Sequence, residues 1–248
     1  AVPHDGPIDP AGDLAILDTE FLLNDLGAVE RRYEKIVESI SKGGKDREAA
    51  LKERGLFERL KAHLDQEKPL RDLDLTAEEI GALRGYGFLS LKPVLIVLNI
   101  GDEGDAPALE YPHRHSAVVA LRGRLEREIA ELSPEDAPLF MAEYGITELS
   151  RSKVIRLSYD LLGLQSFFTV GEDEVRAWTV KRGATAVEAA GEIHTDLAKG
   201  FIRAEVTAYA DLIELGGLNE AKHKGKLRLE GKEYVVQDGD IVHIRHNM

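Results

Sequence analysis

The stretch QSFFTVGEDEVRAWTVK, Gln165–Lys181, holds two strand-like runs around an acidic turn. Gln165–Val170 and Val175–Lys181 are rich in β-branched and aromatic residues, which suit a pleated surface. Gly171, Glu172, Asp173 and Glu174 between them supply turn chemistry. Downstream, a helical period starts at Thr185, with Val187, Ala190, Ile193, His194 and Leu197 on one side, and Gly200 closes it. Strand-like runs resume at Ile202–Val206, Lys226–Leu229, Glu233–Val236 and Ile241–Ile244, the last one preceded by the tight turn Asp238-Gly239-Asp240. Two strands, a helix and then more strands is the order of a β-grasp module.

Upstream the pattern changes. KPVLIVLNIGDEGD, Lys92–Asp105, is an apolar run (Val94–Leu98) followed by Asn99 and an acidic cluster. A second strand is expected at Ala117–Leu121. Helices are expected from Thr76, where Glu79 completes a capping box, from Ser133-Pro134-Glu135, and over Ser150–Leu162. This alternation predicts a piece of a parallel α/β sheet. In such sheets the loop at a strand's carboxyl end faces the ligand crevice. There the Asn99 amide can bridge a nucleobase and a neighbouring loop, and the Asp102 carboxylate can accept from base N–H groups. An Asx turn closing a buried strand uses the same residues, so the residues alone leave both readings open.

The first part of the chain is helical. Leu14, Leu17, Phe21, Leu26, Val29, Tyr33, Ile36 and Ile40 recur mostly at steps of three and four. Ser41–Asp46, with Gly43 and Gly44, breaks the helix, and a second stripe follows with Leu51, Leu56, Leu60 and Leu64. Two helices around a glycine turn predict an antiparallel hairpin. Its charged faces read either as a solvated coiled coil or as an arm that touches a large partner.

Composition excludes several classes. The 248 residues carry 32 Lys and Arg against 45 Asp and Glu, so 32 − 45 gives a net charge of −13. Such a chain is not drawn to nucleic acid by its overall field. There is no cysteine, hence no disulfide and no thiolate zinc site. The apolar runs are too short to span a bilayer and no signal-like segment opens the chain, which predicts a cytoplasmic protein without membrane partners. The chain opens on Ala1 rather than Met, and is read as part of a longer one. A phosphate-cradling G-x-x-x-x-G-K-[ST] loop is missing: Gly43-Gly44-Lys45 runs into Asp46, and Gly231-Lys232 into Glu233. No dinucleotide fingerprint and no nucleophile elbow occur. His113, His115, His243 and His246 read as isolated histidines, and no metal site is expected.

Longer stretches carry a resemblance. VPHDGPIDPAGDLAILDTEFLLNDL (Val2–Leu26), LGLQSFFTVGEDEVRAWTV, GEIHTDLAKGF, AKGFIRAEV and KLRLEGKEYVVQDGDIVHIRHN (Lys226–Asn247) resemble the C-terminal two-thirds of the Obg-like ATPases, the YchF group of P-loop proteins. The resemblance implies a fold of the α/β and α+β classes. A partial P-loop G-domain sheet would occupy residues 1–163, with the antiparallel helical hairpin inserted at about 13–86. A β-grasp TGS domain would follow over 164–248. It implies ATP or GTP with Mg as cofactor in the complete protein, nucleotide hydrolysis, and the ribosome or ribosomal RNA as partner, with a monomer expected. Asn99, Ile100, Asp102, Glu103 and Leu121 would read the nucleotide base. The family pattern there is Asn-x-x-Glu, whereas this chain reads Asn-Ile-Gly-Asp-Glu, and Asp102 stands where GTPases keep a guanine-reading Asp; ATP and GTP both stay open. The family's Ser-Ala pair after the next strand is replaced within Ala120-Leu121-Arg122-Gly123. The phosphate-binding half is missing, so residues 1–248 alone are expected to be inactive and to hold no nucleotide. A non-enzymatic ribosome-, RNA- or protein-binding module with a relic nucleotide loop is the alternative. Among Lys181, Arg182, Lys199, Arg203, Lys222, Lys224, Lys226, Arg228 and Lys232, the trio Lys222, Lys224 and Lys226 is the candidate RNA contact, against the alternative of ordinary solubilising charge.

Overall fold

The computed structural model describes residues 8–42, 46–102, 106–171 and 173–247. The expected glycine turn at Gly43 and Gly44, the hairpin-tip Lys45, Glu103 of the base loop and Glu172 of the strand turn lie outside the described residues. The chain divides into two compact units, residues 1–154 and 155–248.

The first unit opens with α1 (Pro10–Ser41) and α2 (Arg47–Leu64). Asp9 caps α1 and Asp46 caps α2, each side chain accepting from an amide in the first turn. Glu30 meets Lys61 while Arg32 meets Glu53, so numbering falls on one helix as it rises on the other and the pair is antiparallel. Val29 and Ile36 of α1 bury against Leu56, Phe57, Leu60 and Leu64 of α2. Each such side chain contributes about 1.5–3 kcal/mol on leaving water. The expected stripe is therefore buried at Val29, Ile36, Leu56, Leu60 and Leu64, while Leu17 and Leu51 are exposed and Phe57, outside the stripe, is buried as well.

After α2 come a 3-10 turn (Leu70–Asp72), α3 (Ala77–Leu83) with the expected Thr76–Glu79 capping box, and a second 3-10 turn (Arg84–Tyr86). Two strands follow, β1 (Val94–Asn99) and β2 (Ser116–Leu121), paired in parallel from Val94↔Ser116 to Asn99↔Leu121. Then α4 (Gly123–Ala130) and α5 (Asp136–Glu143) complete the unit. The helix expected from Ser133 starts at Asp136. Ser133 still acts as the cap, since its hydroxyl accepts from the Asp136 amide at 3.1 Å.

α6 (Ser150–Leu162) has the expected bounds. The second unit then forms a mixed five-stranded sheet from β3 (Leu164–Val170), β4 (Val175–Lys181), β5 (Phe201–Ala208), β6 (Arg228–Glu230) and β7 (Asp240–His246), in the order β4-β3-β7-β5-β6. Only β3 and β7 run parallel. α7 (Ala186–Ile193) packs on one face: Ala186, Ala189 and Ala190, all fully buried, let it approach Phe167, Val206 and Val242 closely. The helix expected from Thr185 to Gly200 breaks at His194. That residue is extended, and its ring nitrogen accepts from the Asp196 amide, capping the separate α8 (Thr195–Lys199). Glu233–Val236 is not a sheet strand. It lies against the segment before α7, with Ala186 N–H donating to Tyr234 C=O at 2.7 Å and Val236 N–H to Ala184 C=O at 3.0 Å. Two short helices, α9 (Tyr209–Leu215) and α10 (Leu218–His223), fill the crossover between β5 and β6.

Candidate functional site

Asn99 is the last residue of β1, and its neighbour in register is Leu121, the last of β2. The two strand ends are tied twice. Ile100 N–H donates to Leu121 C=O at 2.9 Å, and Gly123 N–H donates to Asn99 Oδ1 at 3.1 Å. The Asn99 side chain thus reaches across from the first loop to the start of α4. Gly123 is required by this approach. A Cβ there would sit 2.9 Å from Asn99 Oδ1 and 3.2 Å from Leu121 Cδ1. Asn99 and Leu121 stand where expected at the strand ends, whereas the helix Gly123–Ala130 carries no strong sequence signal beyond a glycine two residues past a strand end.

Asp102 follows on the same loop. Its Oδ2 lies 3.7 Å from Arg124 Nε, while its Oδ1 is buried and has no hydrogen-bond partner among the described residues. A carboxylate oxygen removed from water without a donor carries a desolvation cost, and a donor supplied by a ligand would relieve it. Chemically the loop offers an acceptor-only carboxylate beside an amide anchored through its oxygen.

Behind the loop, the start of β1 is clasped to the hairpin by a polar network. Asp25 of α1 is fully buried and accepts from Leu89 N–H at 2.9 Å and Ser90 N–H at 2.7 Å. Arg71 is buried too and donates to Ser90 C=O, to Lys92 C=O and to the Tyr111 hydroxyl, which itself donates to Asp18 at 2.8 Å. Burial, then the hydrogen bond to Asp18, pushes the Tyr111 phenol up to about 12. Asp72 accepts from His113 Nδ1 at 2.7 Å and Arg114 N–H at 2.8 Å. Burial acts to raise its carboxyl, but these donors outweigh it and hold the group below the usual range. At the far side, Glu126 of α4 accepts from the backbone and hydroxyl of Ser150, fixing the start of α6.

In the second unit the three candidate lysines are placed differently. Lys222 lies on α10 and lines a cavity of about 230 Å³ with Asn219, Thr207 and His243. Lys224 is the residue that closes α10. Lys226 is ion-paired with Asp211 of α9 at 3.0 Å. Other cations of the group are also paired: Arg182 with Asp160, Lys199 with Asp196, Arg228 with Glu230. Among the described residues no group of three or more His, Asp or Glu is arranged to hold a metal ion, and no helix is long and apolar enough to cross a membrane.

Comparison with known proteins gives consistent matches. A family model, YchF-GTPase_C, described as a protein of unknown function (DUF933), matches residues 164–247. The chain is 44% identical to the ribosome-binding ATPase YchF of Haemophilus influenzae, over 98% of its own length and 68% of that protein. It is 33% identical to Obg-like ATPase 1 of Caenorhabditis elegans, over 98% of the chain and 64% of that protein. Among solved structures, the Schizosaccharomyces pombe YchF GTPase matches with a TM-score of 0.84 and 27% identity, covering 99% of this chain and 68% of that one.

Proposed function

Because the chain belongs to the family of YchF and Obg-like ATPases, we propose that β1, β2 and their loops form the base-reading end of a nucleotide site whose phosphate-binding half lies outside residues 1–248. In this reading Asn99, Ile100, Asp102, Glu103 and Leu121 surround the base. The TGS-type β-grasp unit over 164–248 and the hairpin serve a ribosome partner, in the cytoplasm. The relatives' names, ribosome-binding ATPase and GTPase, support the partner and the reaction class.

The observation that carries the proposal is the buried Asp102 Oδ1, without a hydrogen-bond partner among the described residues, beside the anchored Asn99. Asn99 Oδ1 is held by Gly123, which orients the amide so that its N–H₂ meets an acceptor on the base. Asp102 receives N–H groups from the base edge. Mg and the phosphates would supply the charge stabilisation of phosphoryl transfer, and none of the residues described here is asked to hold them. The half-exposed faces of the two-stranded parallel sheet also favour further cover on it, since parallel sheets are normally covered on both faces.

The test is calorimetric nucleotide binding to the full-length protein. Asn99→Ala should weaken both ATP and GTP by about 0.5–1.5 kcal/mol, the worth of a neutral hydrogen bond. Asp102→Ala should affect the preferred base more than the other. Equal affinities for the parent and both variants would remove these residues from the site. Failure of the full-length parent to bind either nucleotide would leave the non-enzymatic module as the better reading.

A further inference from the structure

β5 and β7 are neighbours in the sheet, and along each strand successive side chains face opposite ways. Ala204 and Val206 of β5 and Val242 and Ile244 of β7 belong to the core packed against α7. Glu205 and Thr207, with Ile241 and His243, therefore face the other side. In register Glu205 stands opposite His243, and Thr207 opposite Ile241. The cavity of about 230 Å³ lies on this second side, between the sheet and α10. Leu218, Asn219 and Lys222 line it from the helix, where residues three and four apart share a face. All of its walls belong to the second unit.

Thr207 is 1% exposed, and its hydroxyl makes no hydrogen bond among the described residues. Buried hydroxyls are normally hydrogen-bonded, because leaving water without a partner is costly. The side chains of Asn219 and Lys222 also have no hydrogen bond or ion pair among the described residues. Their charged neighbours do: Lys226 is paired with Asp211, and Glu205 with Arg245. Since Arg245 offsets Glu205, the cavity keeps one surplus positive charge, that of Lys222. A monoanion matches it, whereas a dianion would bring an uncompensated charge beside Glu205. Leu218, Leu227 and Ile241 give the same cavity apolar wall. Apolar walls with a few placed polar groups are the usual build of a small-ligand site. A dry cavity of about 150 Å³ accepts benzene, so this one has room for a ring or branched alkyl body that carries a carboxylate. We propose that the cavity binds a small monocarboxylate with an apolar body. The Lys222 ammonium, the Asn219 amide and the Thr207 hydroxyl donate to the carboxylate, and the body lies against Leu218, Leu227 and Ile241. An RNA backbone, the other candidate for Lys222, has no use for a hydroxyl so deeply buried. The inference stands on the second unit alone and does not depend on the nucleotide or the ribosome reading.

The test titrates the nitrogen-15-labelled 248-residue chain with benzoate, benzyl alcohol, phenyl phosphate and a short single-stranded RNA, and follows the amides of Thr207, Asn219 and Lys222. Benzoate is expected to shift them saturably, with a Kd of about 1 mM or below, and to bind at least ten-fold more tightly than benzyl alcohol. Lys222→Met should weaken benzoate at least ten-fold and Thr207→Val about five-fold, the worth of a charged and of a neutral hydrogen bond. Thr207→Ser keeps the hydroxyl and should bind as the parent does. Lys153→Met removes the same charge from exposed α6 and should change nothing. Circular dichroism checks the fold of each variant, and if Thr207→Val does not fold, Lys222→Met and Thr207→Ser still decide. Benzoate that moves none of these amides, or binds no more tightly than benzyl alcohol, overturns the proposal and makes water the partner of Thr207. Phenyl phosphate binding more tightly than benzoate overturns it in favour of a phosphate site. RNA that shifts these amides where benzoate does not overturns it in favour of an RNA contact. Equal weakening by Lys153→Met and Lys222→Met overturns it as a general effect of charge.

Discussion

Asp25→Ala removes a buried side chain of the hairpin that holds the chain entering β1 through two hydrogen bonds. Asp25 is fully buried, and Ser90, one of its two backbone donors, is 1% exposed. The substitution leaves the Leu89 and Ser90 amides without their acceptor. A buried donor left unpaired costs about 1–3 kcal/mol; with one of the two near the wet side, the expected loss is about 3 kcal/mol. Urea unfolding followed by far-ultraviolet circular dichroism, which is dominated by α1 and α2, checks it. With a slope of about 2 kcal/mol per molar urea, the midpoint falls by about 1.5 M. Asp25→Asn should cost most of this, because an amide offers one acceptor oxygen to two N–H groups. Trp178, the single tryptophan, lies on β4 in the other compact unit, so its fluorescence transition serves as an internal reference and should move less. A midpoint shift under about 0.3 M, or amide exchange at Leu89 and Ser90 no faster than in the parent, would refute the reasoning.

Gly123→Ala sets two effects against each other. Alanine gains up to about 1 kcal/mol of backbone entropy over glycine, while its Cβ, 2.9 Å from Asn99 Oδ1, displaces a hydrogen bond worth about the same; the melting temperature should change by less than about 3 °C while exchange of the residue-123 amide quickens about ten-fold. Asp72→Asn tests acid sensitivity. A carboxyl whose folded value is depressed contributes stability that is complete above its unfolded value of about 4 and is lost as pH falls through the lower folded value, so the parent should lose more stability than the variant on acidification below about pH 4.

The sequence was legible where local chemistry and tertiary demand agree. Ser150–Leu162, the Thr76 capping box and the helix start at Thr185 are local signals, and they stand where expected. The β3–β4 hairpin is written in alternating aromatic and β-branched residues around an acidic turn. Glu233–Val236 has the composition of a strand, yet its hydrogen bonds go to the segment before α7, a partner nearly fifty residues away that no local pattern names. His194 looked like one more position on a helical face. Its extended backbone ends α7 and makes it the cap of α8, which a helical period alone does not show. α9 and α10 are too short to establish a period of 3.6, and Gly216, in the left-handed region at φ 81°, separates them. At the candidate site Asn99 and Asp102 were readable as a polar strand end, but the closure through Gly123 depends on the parallel register, which appears only once β1 and β2 are side by side.

The position of β7 in the sheet has a consequence for how the second unit comes into being. It is the last strand in the order of synthesis and the middle one in space, paired on one edge with β3 and on the other with β5. The pairing Phe168↔Ile241 joins residues far apart in sequence, and contacts of that kind are slow to form. Until β7 has left the ribosomal exit tunnel, β3–β4 and β5–β6 are two separate ribbons, each with an unpaired edge, and two-stranded ribbons are at best marginal in water. The nascent unit therefore cannot be half stable. A stop anywhere inside Asp240–His246 leaves both ribbons open to the wrong partners and to proteolysis, whereas completing one seven-residue strand closes the whole sheet at once.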